Sequence, residues 1–412
     1  MKRMNRISLL TLIREHGPIS RSDLAGLSRL SKPTVSAQVE SLIQRRLVLE
    51  TGLGESGKRG KKPTHLEFNS DYCCLAAGEI DPINTRLAIT NLRGVTIVQA
   101  QFPTEPQQGA ASVIGRLQQG LAKLLKESGQ AEKLCRLAIA APGRVDVQQG
   151  VILEAANLFS WKNVPIADPL SRAFKVPVFV DNTLNLAALA EMDSGAAKGV
   201  DDFVLVHHDT GIGCGVVLGG KLHRGSNWAA GEIAHFVLDL KEAGRDWTPR
   251  GYLELEVGAD RLAEKVRTFR DALVELREGG SALPSLYHAA QRGHSQAREV
   301  VGKLVLELGI AIANIAATYD PSLIVLQGEI FPLLLQEIEP VARRHVTWLS
   351  RLVPSKLGED AGLRGAIVAA RAQSYEAIAK ALGDGTLRPR SATGSESGTE
   401  ELSRARSAPG AY

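Results

Sequence analysis

Seven glycines fall within the 27 residues Asp209–His235, DTGIGCGVVLGGKLHRGSNWAAGEIAH, and they leave the chain few choices there. Gly219-Gly220 marks the turn of a hairpin with apolar arms. The series Gly211, Gly213, Gly215 admits two readings. It is either tight packing around that hairpin, or a loop whose backbone approaches an anion and points its N–H groups at it.

The flanking sequence supplies a frame for that hairpin. CCLAAGEI, TRLAITNL and TIVQAQF read as three successive strands, followed by an amphipathic helix over residues 111–128 and a strand CRLAIAAPG. A second round follows as FVLVHHD, the glycine hairpin, long helices and the short strand SLIVLQG. Two α/β halves flanking a cleft are the economical interpretation, the architecture of actin-like sugar kinases. The expected division is a first lobe over 71–185 and a second over 186–382. The stretch 383–412, rich in Gly, Ser, Pro and charge without apolar periodicity, is expected to be a disordered tail.

Residues 1–70 differ from this body. Apolar residues recur at helical spacing in three short segments: Ile7, Leu10, Ile13; Leu24, Leu27, Leu30; and Val35, Val39, Leu42, Ile43. Ser20 with Asp23, and Ser31 with Pro33, are helix-start signals, and His16-Gly17-Pro18 breaks the first segment. A strand at Leu47-Val48-Leu49 and a Gly-rich basic tongue complete a winged helix-turn-helix. In such a unit the last helix enters the major groove, which points to Lys32, Thr34, Ser36 and Gln38 as DNA-reading residues. Lys58, Arg59, Lys61 and Lys62 on the tongue are suited to phosphates or a minor groove. From Met1 to Lys62 there are 13 Lys+Arg against 5 Asp+Glu, a local +8 that leaves −4 for the rest of a chain whose net charge is +4. A basic head on a mildly acidic body favours a polyanionic partner, namely double-stranded DNA.

Other classes are disfavoured. No apolar run approaches the roughly 18 residues of a membrane span, and no signal-peptide pattern follows the N-terminus, so a cytoplasmic protein without membrane attachment is expected. The four cysteines, Cys73, Cys74, Cys135 and Cys214, form no C-x-x-C pair and read as buried small hydrophobes.

AAPGRVDVQQGVI, ANLFSWKNVPI, VFVDNTLNLAALAE, DTGIGCGVVLGGKLHRGSNWAAGEIAHFVLD and YDPSLIVLQGEI occur in one order across residues 5–382. In combination they resemble the family of repressors, open reading frames and kinases (ROK), in its winged-helix regulator branch, which includes xylose and N-acetylglucosamine repressors. The resemblance implies a sugar pocket at Asn157, Asn182, Glu232, His235 and Glu254, near the Pro142-Gly143 turn. It places Thr183 where the kinases carry their catalytic Asp, with Asp181 as a different acid two residues earlier, so no catalytic residue is expected. A threonine hydroxyl can bond a sugar but cannot act as a general base near neutral pH.

The first phosphate loop of the kinases corresponds to Glu79-Ile80-Asp81-Pro82-Ile83, where proline offers no N–H and the carboxylates repel a triphosphate. Asp209 and Gln327-Gly328 replace family glycines at two further places, so no cofactor is expected. The family's zinc-binding cysteines fall on Arg245, Trp247 and Tyr252, so no metal is expected either. The resulting expectation is a sugar-responsive transcriptional regulator, a repressor of carbohydrate genes, acting as a homodimer or homotetramer on operator DNA. The alternative is an ATP-dependent sugar kinase with a DNA-binding appendage.

Overall fold

The computed structural model describes residues 2–53, 64–159, 161–267 and 282–387. Its first unit is three helices, Lys2–His16, Arg21–Ser28 and Lys32–Gln44, and a small sheet in the order Ile19–Ser20, Thr64–Phe68, Val48–Leu53. The start signals work as their chemistry requires. The Ser20 hydroxyl accepts the Asp23 N–H at 3.2 Å, and the Ser31 hydroxyl accepts that of Thr34 at 3.4 Å with Pro33 in the first turn. Leu9, Ile13, Leu24, Val35, Val39 and Leu42 are fully buried and form the core of the unit. Leu27, expected to face inward, is 53% exposed on the last turn before its helix stops at Ser28.

The body holds two five-stranded sheets. The first runs Val178–Asn182, Leu134–Ala141, Cys74–Ile80, Asn84–Asn91, Thr96–Pro103. Its first three strands are parallel, and the last two join antiparallel as a meander. The second runs Lys221–Leu222, Ile212–Leu218, Phe203–His208, Leu323–Gln327, Arg351–Pro354. Alternation along Phe203–His208 sends Phe203 and Leu205 to one hydrophobic cluster and Val204 and Val206 to another, as a sheet buried on both faces demands. A smaller antiparallel sheet, Trp161–Pro165, Val151–Ala155, Arg144–Asp146, covers one end of the first.

Two helices, Thr183–Ser194 and Ala361–Asp384, pack on each other between the lobes, so closely that a Cβ at Gly365 would collide with the Leu186 carbonyl. The second of them, grouped by sequence with the second lobe, packs on the strands Cys74–Ile80 and Leu134–Ala141 of the first. Its small residue Gly362 lets it lie close to Glu79 of the first sheet, as Gly365 does to the helix Thr183–Ser194. The proposed tail 383–412 lies outside the described residues beyond Leu387. Among the described residues one helix, Ser295–Tyr319, is long and apolar enough to cross a membrane. Leu304, Leu308, Ile312 and Ile315 bury its inner face in the second lobe, as a core helix would.

Candidate functional site: a polar cleft between the lobes

The carboxyl ends of Val178–Asn182 and Phe203–His208 open into a cleft of about 190 Å³, the place where α/β sheets bind ligands. Asn157, Asn182, Thr183, Glu232, His235 and Glu254 all line it, so the residues grouped by resemblance are brought together. Asn182 is also structural. Its side-chain oxygen accepts the N–H groups of Leu184 (2.7 Å) and Asn185 (3.2 Å), capping the helix Thr183–Ser194, and its amide donates to the Gly143 carbonyl at 2.7 Å. Only one amide hydrogen remains for a ligand. The Gly143 turn has φ +79°, and a Cβ there would collide with the Glu154 carbonyl.

Glu254 is ion-paired to Arg250 at 2.6 Å, and Arg250 also reaches Asp260 at 2.7 Å and the Thr210 carbonyl at 3.2 Å. The Glu232 carboxylate has no hydrogen-bond or ion-pair partner among the described residues. Burial raises both carboxyls above the ordinary range, opposed by Arg250 at Glu254 and by Arg144 at Glu232. Asn157 and His235 are exposed at the mouth. These groups accept and donate in several directions, which suits a polyol and penalises an analogue that leaves them unpaired. Gly231 sets the position of Glu232. Its φ is +90°, and a Cβ would strike the Cys214 carbonyl oxygen. Gly231→Ala is expected to cost about 2 kcal/mol, read as a lower denaturation midpoint in urea, and to displace Glu232 from the cleft.

Asp181 does not face the cleft. It is fully buried, and one of its oxygens takes both the Nε (2.9 Å) and Nη2 (2.7 Å) of Arg224. Its other oxygen accepts the Asn182 N–H at 2.7 Å and the Asn185 amide at 3.0 Å. Thr183 lines the cleft in its place, with a buried hydroxyl that has no partner among the described residues. No carboxylate is therefore presented at the position that the resemblance gives to the kinases' catalytic Asp.

The end of the cleft beyond Thr183 does not fit a triphosphate. The Asp81 carboxylate accepts the N–H groups of Ile83 (2.9 Å) and Asn84 (3.2 Å), using donors that would otherwise meet an anion, and Pro82 has none. Burial and the nearby Asp81 raise the Asp209 carboxyl, and burial lowers His207 to about 4, so its ring is neutral. The glycine series resolves toward packing. A Cβ on Gly211 would lie 2.6 Å from a Glu254 oxygen, one on Gly213 2.7 Å from Leu184 Cδ1, and one on Gly215 against the Leu184 carbonyl. A zinc ion does not fit either. Trp247 donates to the Glu242 carbonyl at 3.0 Å and stacks edge-to-face on Tyr252 at 5.3 Å, Tyr252 bonds Glu307 at 3.1 Å, and Arg245 pairs with Glu242 at 2.9 Å. This leaves His235 as the one zinc-type ligand among the four aligned positions.

Behind the cleft wall, Glu79 accepts the Leu363 N–H at 3.1 Å and pairs with Arg86 at 3.2 Å, tying down the start of Ala361–Asp384. A Cβ on Gly362 would meet both the Glu79 carboxylate and, at 2.8 Å, the Thr183 methyl. The far end of the same helix meets the head. Arg14 lies 4.3 Å over the Tyr375 ring, Phe68 packs edge-to-face on Tyr375 at 5.7 Å, Arg3 bonds the Gly383 carbonyl at 2.9 Å and Arg45 that of Leu387 at 2.9 Å. Burial raises Glu79 to about 7 from 4.5, so between those pH values the folded chain holds a proton that the unfolded chain has released. That stability is fully present below about pH 4.5 and lost as pH rises through 7, about 3 kcal/mol in all. Urea midpoints at pH 5 and 7.5 should show this component in the native chain and not in Glu79→Gln.

In the head, Lys32 and Ser36 are exposed on the early turns of Lys32–Gln44. Thr34 is half-buried, its hydroxyl 2.8 Å from that of Ser31. Gln38 corrects the sequence expectation. It is 7% exposed and accepts from Arg6 at 3.2 Å, because it falls on the same helical face as Val35, Val39 and Leu42. Lys58, Arg59, Lys61 and Lys62 lie outside the described residues. Sequence reasoning missed Arg144, Arg224 and Arg250, which pair with Glu154, Asp181 and Glu254. The signal available for Arg224 was that an acid within an apolar strand needs a cationic partner.

A winged-helix head on an actin-like, sugar-kinase-type body, with a polar cleft between the lobes, defines the class. The chain belongs to the ROK family: that family matches residues 79–373, and the MarR family matches residues 3–49. The xylose repressor of Bacillus subtilis (strain 168) is 29% identical, covering 89% of this chain and 94% of its own length. A glucokinase of Halalkalibacterium halodurans is 30% identical over 68% of this chain and 89% of its own. The crystal structure of a ROK family transcriptional regulator, described as a homolog of the E. coli MLC protein, superposes with a TM-score of 0.72 at 26% identity, covering 94% of this chain and 98% of that one.

Proposed function

We infer that the chain is a sugar-responsive DNA-binding transcriptional regulator, a repressor, whose kinase-type body senses its ligand without catalysis. The observation that carries this reading is the helix Ala361–Asp384, held at its start by Glu79 behind the cleft and packed at its end on the head. Asn157, Asn182, Glu232, His235 and Glu254 are assigned to the sugar hydroxyls. Lys32, Thr34 and Ser36, with the tongue residues Lys58, Arg59, Lys61 and Lys62, are assigned to DNA. The division at residues 70, 185 and 382, a cytoplasmic location, and a homodimer or homotetramer on two-fold operator halves complete the reading. Helix-turn-helix dimers span half-sites about 34 to 36 Å apart.

The mechanism is linkage. A sugar that binds one arrangement of the cleft better than another shifts the helix between cleft and head by no more than its differential affinity, and the reading heads lose their match to the half-sites. The alternative, a sugar kinase with a DNA-binding appendage, is favoured by the glucokinase relative. A coupled ADP-release assay with D-glucose, D-mannose, D-xylose and N-acetyl-D-glucosamine separates them. No turnover above background is expected, whereas turnover near the typical enzyme rate of about 10 per second would establish the kinase.

A further inference from the structure

The cleft is acidic in a way its sugar-binding half does not require. Asp81, Glu154, Asp209, Glu232 and Glu254 line it against two guanidiniums, Arg144 and Arg250, and no lysine. Both arginines are committed, Arg144 to Glu154 at 3.3 Å and Arg250 to Glu254 and Asp260. Asp81 and Asp209 have no ion-pair partner among the described residues, and they stand near each other at the end beyond Thr183. Exposed Glu329 adds a third negative charge in range of Asp209.

The features that normally welcome a phosphate are closed at the same end. The N-terminus of Thr183–Ser194 points at the cleft, but the Asn182 oxygen already takes the N–H groups of Leu184 and Asn185. The turn amides of Ile83 and Asn84 are bonded to Asp81, and neutral His207 brings no positive charge. The neutral polar groups that line this end are the Thr183 hydroxyl and the His207 ring, neither of which carries a charge to offset a phosphate. Such groups can bond a hydroxyl.

We propose that Asp81 and Asp209 are specificity-determining residues that restrict the cleft to unphosphorylated sugars, rejecting the phosphate esters of the same sugars by like-charge repulsion. The proposal rests on the reading of the cleft as a sugar sensor. Discrimination here comes from an element that repels the wrong ligand, not from an added contact to the right one. A phosphate oxygen within a few ångströms of two carboxylates that no cation neutralises finds no compensating donor.

The test is isothermal titration of the full chain with D-glucose, D-mannose and N-acetyl-D-glucosamine, each beside its 6-phosphate, and with D-xylose alone. At least one free sugar is expected to bind, with its phosphate at least about tenfold weaker. The Asp81→Asn/Asp209→Asn chain is expected to narrow that ratio at least about tenfold. Asparagine keeps the oxygen that accepts from Ile83 and Asn84, and a melting curve without ligand confirms that the variant folds; Asp209→Asn alone gives the same direction of change if the double variant does not. A phosphate that binds as well as or better than its free sugar, or a ratio unmoved by the substitutions, overturns the proposal and leaves the sensor reading standing. Binding of neither form by the native chain overturns both.

Discussion

Arg224→Ala is expected to destabilise the chain by about 3 to 5 kcal/mol, the cost of stranding one member of a buried ion pair. The pair is well shielded, with side-chain exposures of 13% for Arg224 and 1% for Asp181. Arg224 makes two contacts to one carboxylate oxygen, while the other oxygen holds the Asn182 N–H and the Asn185 amide. Removing the guanidinium therefore leaves a charge with backbone and amide donors but no cation. Asp181→Asn in the same chain is expected to recover part of the loss, because a neutral amide replaces the stranded charge. Urea midpoints of the native chain, both single variants and the double variant give the coupling.

Glu232→Gln is expected to weaken sugar binding roughly 10- to 100-fold, the range for losing a hydrogen bond to a charged group. Within the sugar set, the Glu232 carboxylate has no partner among the described residues, unlike that of Glu254, whose oxygen is taken by Arg250 at 2.6 Å. It is therefore the acid with most capacity left for a ligand. Titration calorimetry with the best-binding sugar reads the loss, and the operator affinity without sugar serves as the control. An unchanged sugar affinity would assign Glu232 to the scaffold.

Most of the architecture was legible because its signals are local. Helix starts at Ser20 and Ser31, the hairpin at Gly219-Gly220 and the alternating strands each follow from a few neighbouring residues. What stayed hidden depends on contacts distant in sequence. Nothing near Gly211, Gly213 or Gly215 tells packing from anion binding; the structure decides it through Leu184 and Glu254. Arg224 meets Asp181 across 43 residues, and Glu79 meets Leu363 across 284. Gln38 was misread because its polarity was weighed above its helical position, which sets it beside Val39 and Leu42. The return of Ala361–Asp384 to the first sheet is a matter of topology that periodicity alone does not encode.

The coupling between cleft and head is tested most directly by the DNA affinity itself. An operator duplex selected with the protein from random DNA, carrying a fluorescent label, is titrated with the full chain in the absence and presence of D-glucose, D-mannose, D-xylose and N-acetyl-D-glucosamine at fixed salt. At least one sugar is expected to weaken binding about 5- to 150-fold, the usual span of allosteric coupling. An operator affinity that is unchanged in every sugar, including one shown by calorimetry to bind the chain, would contradict it.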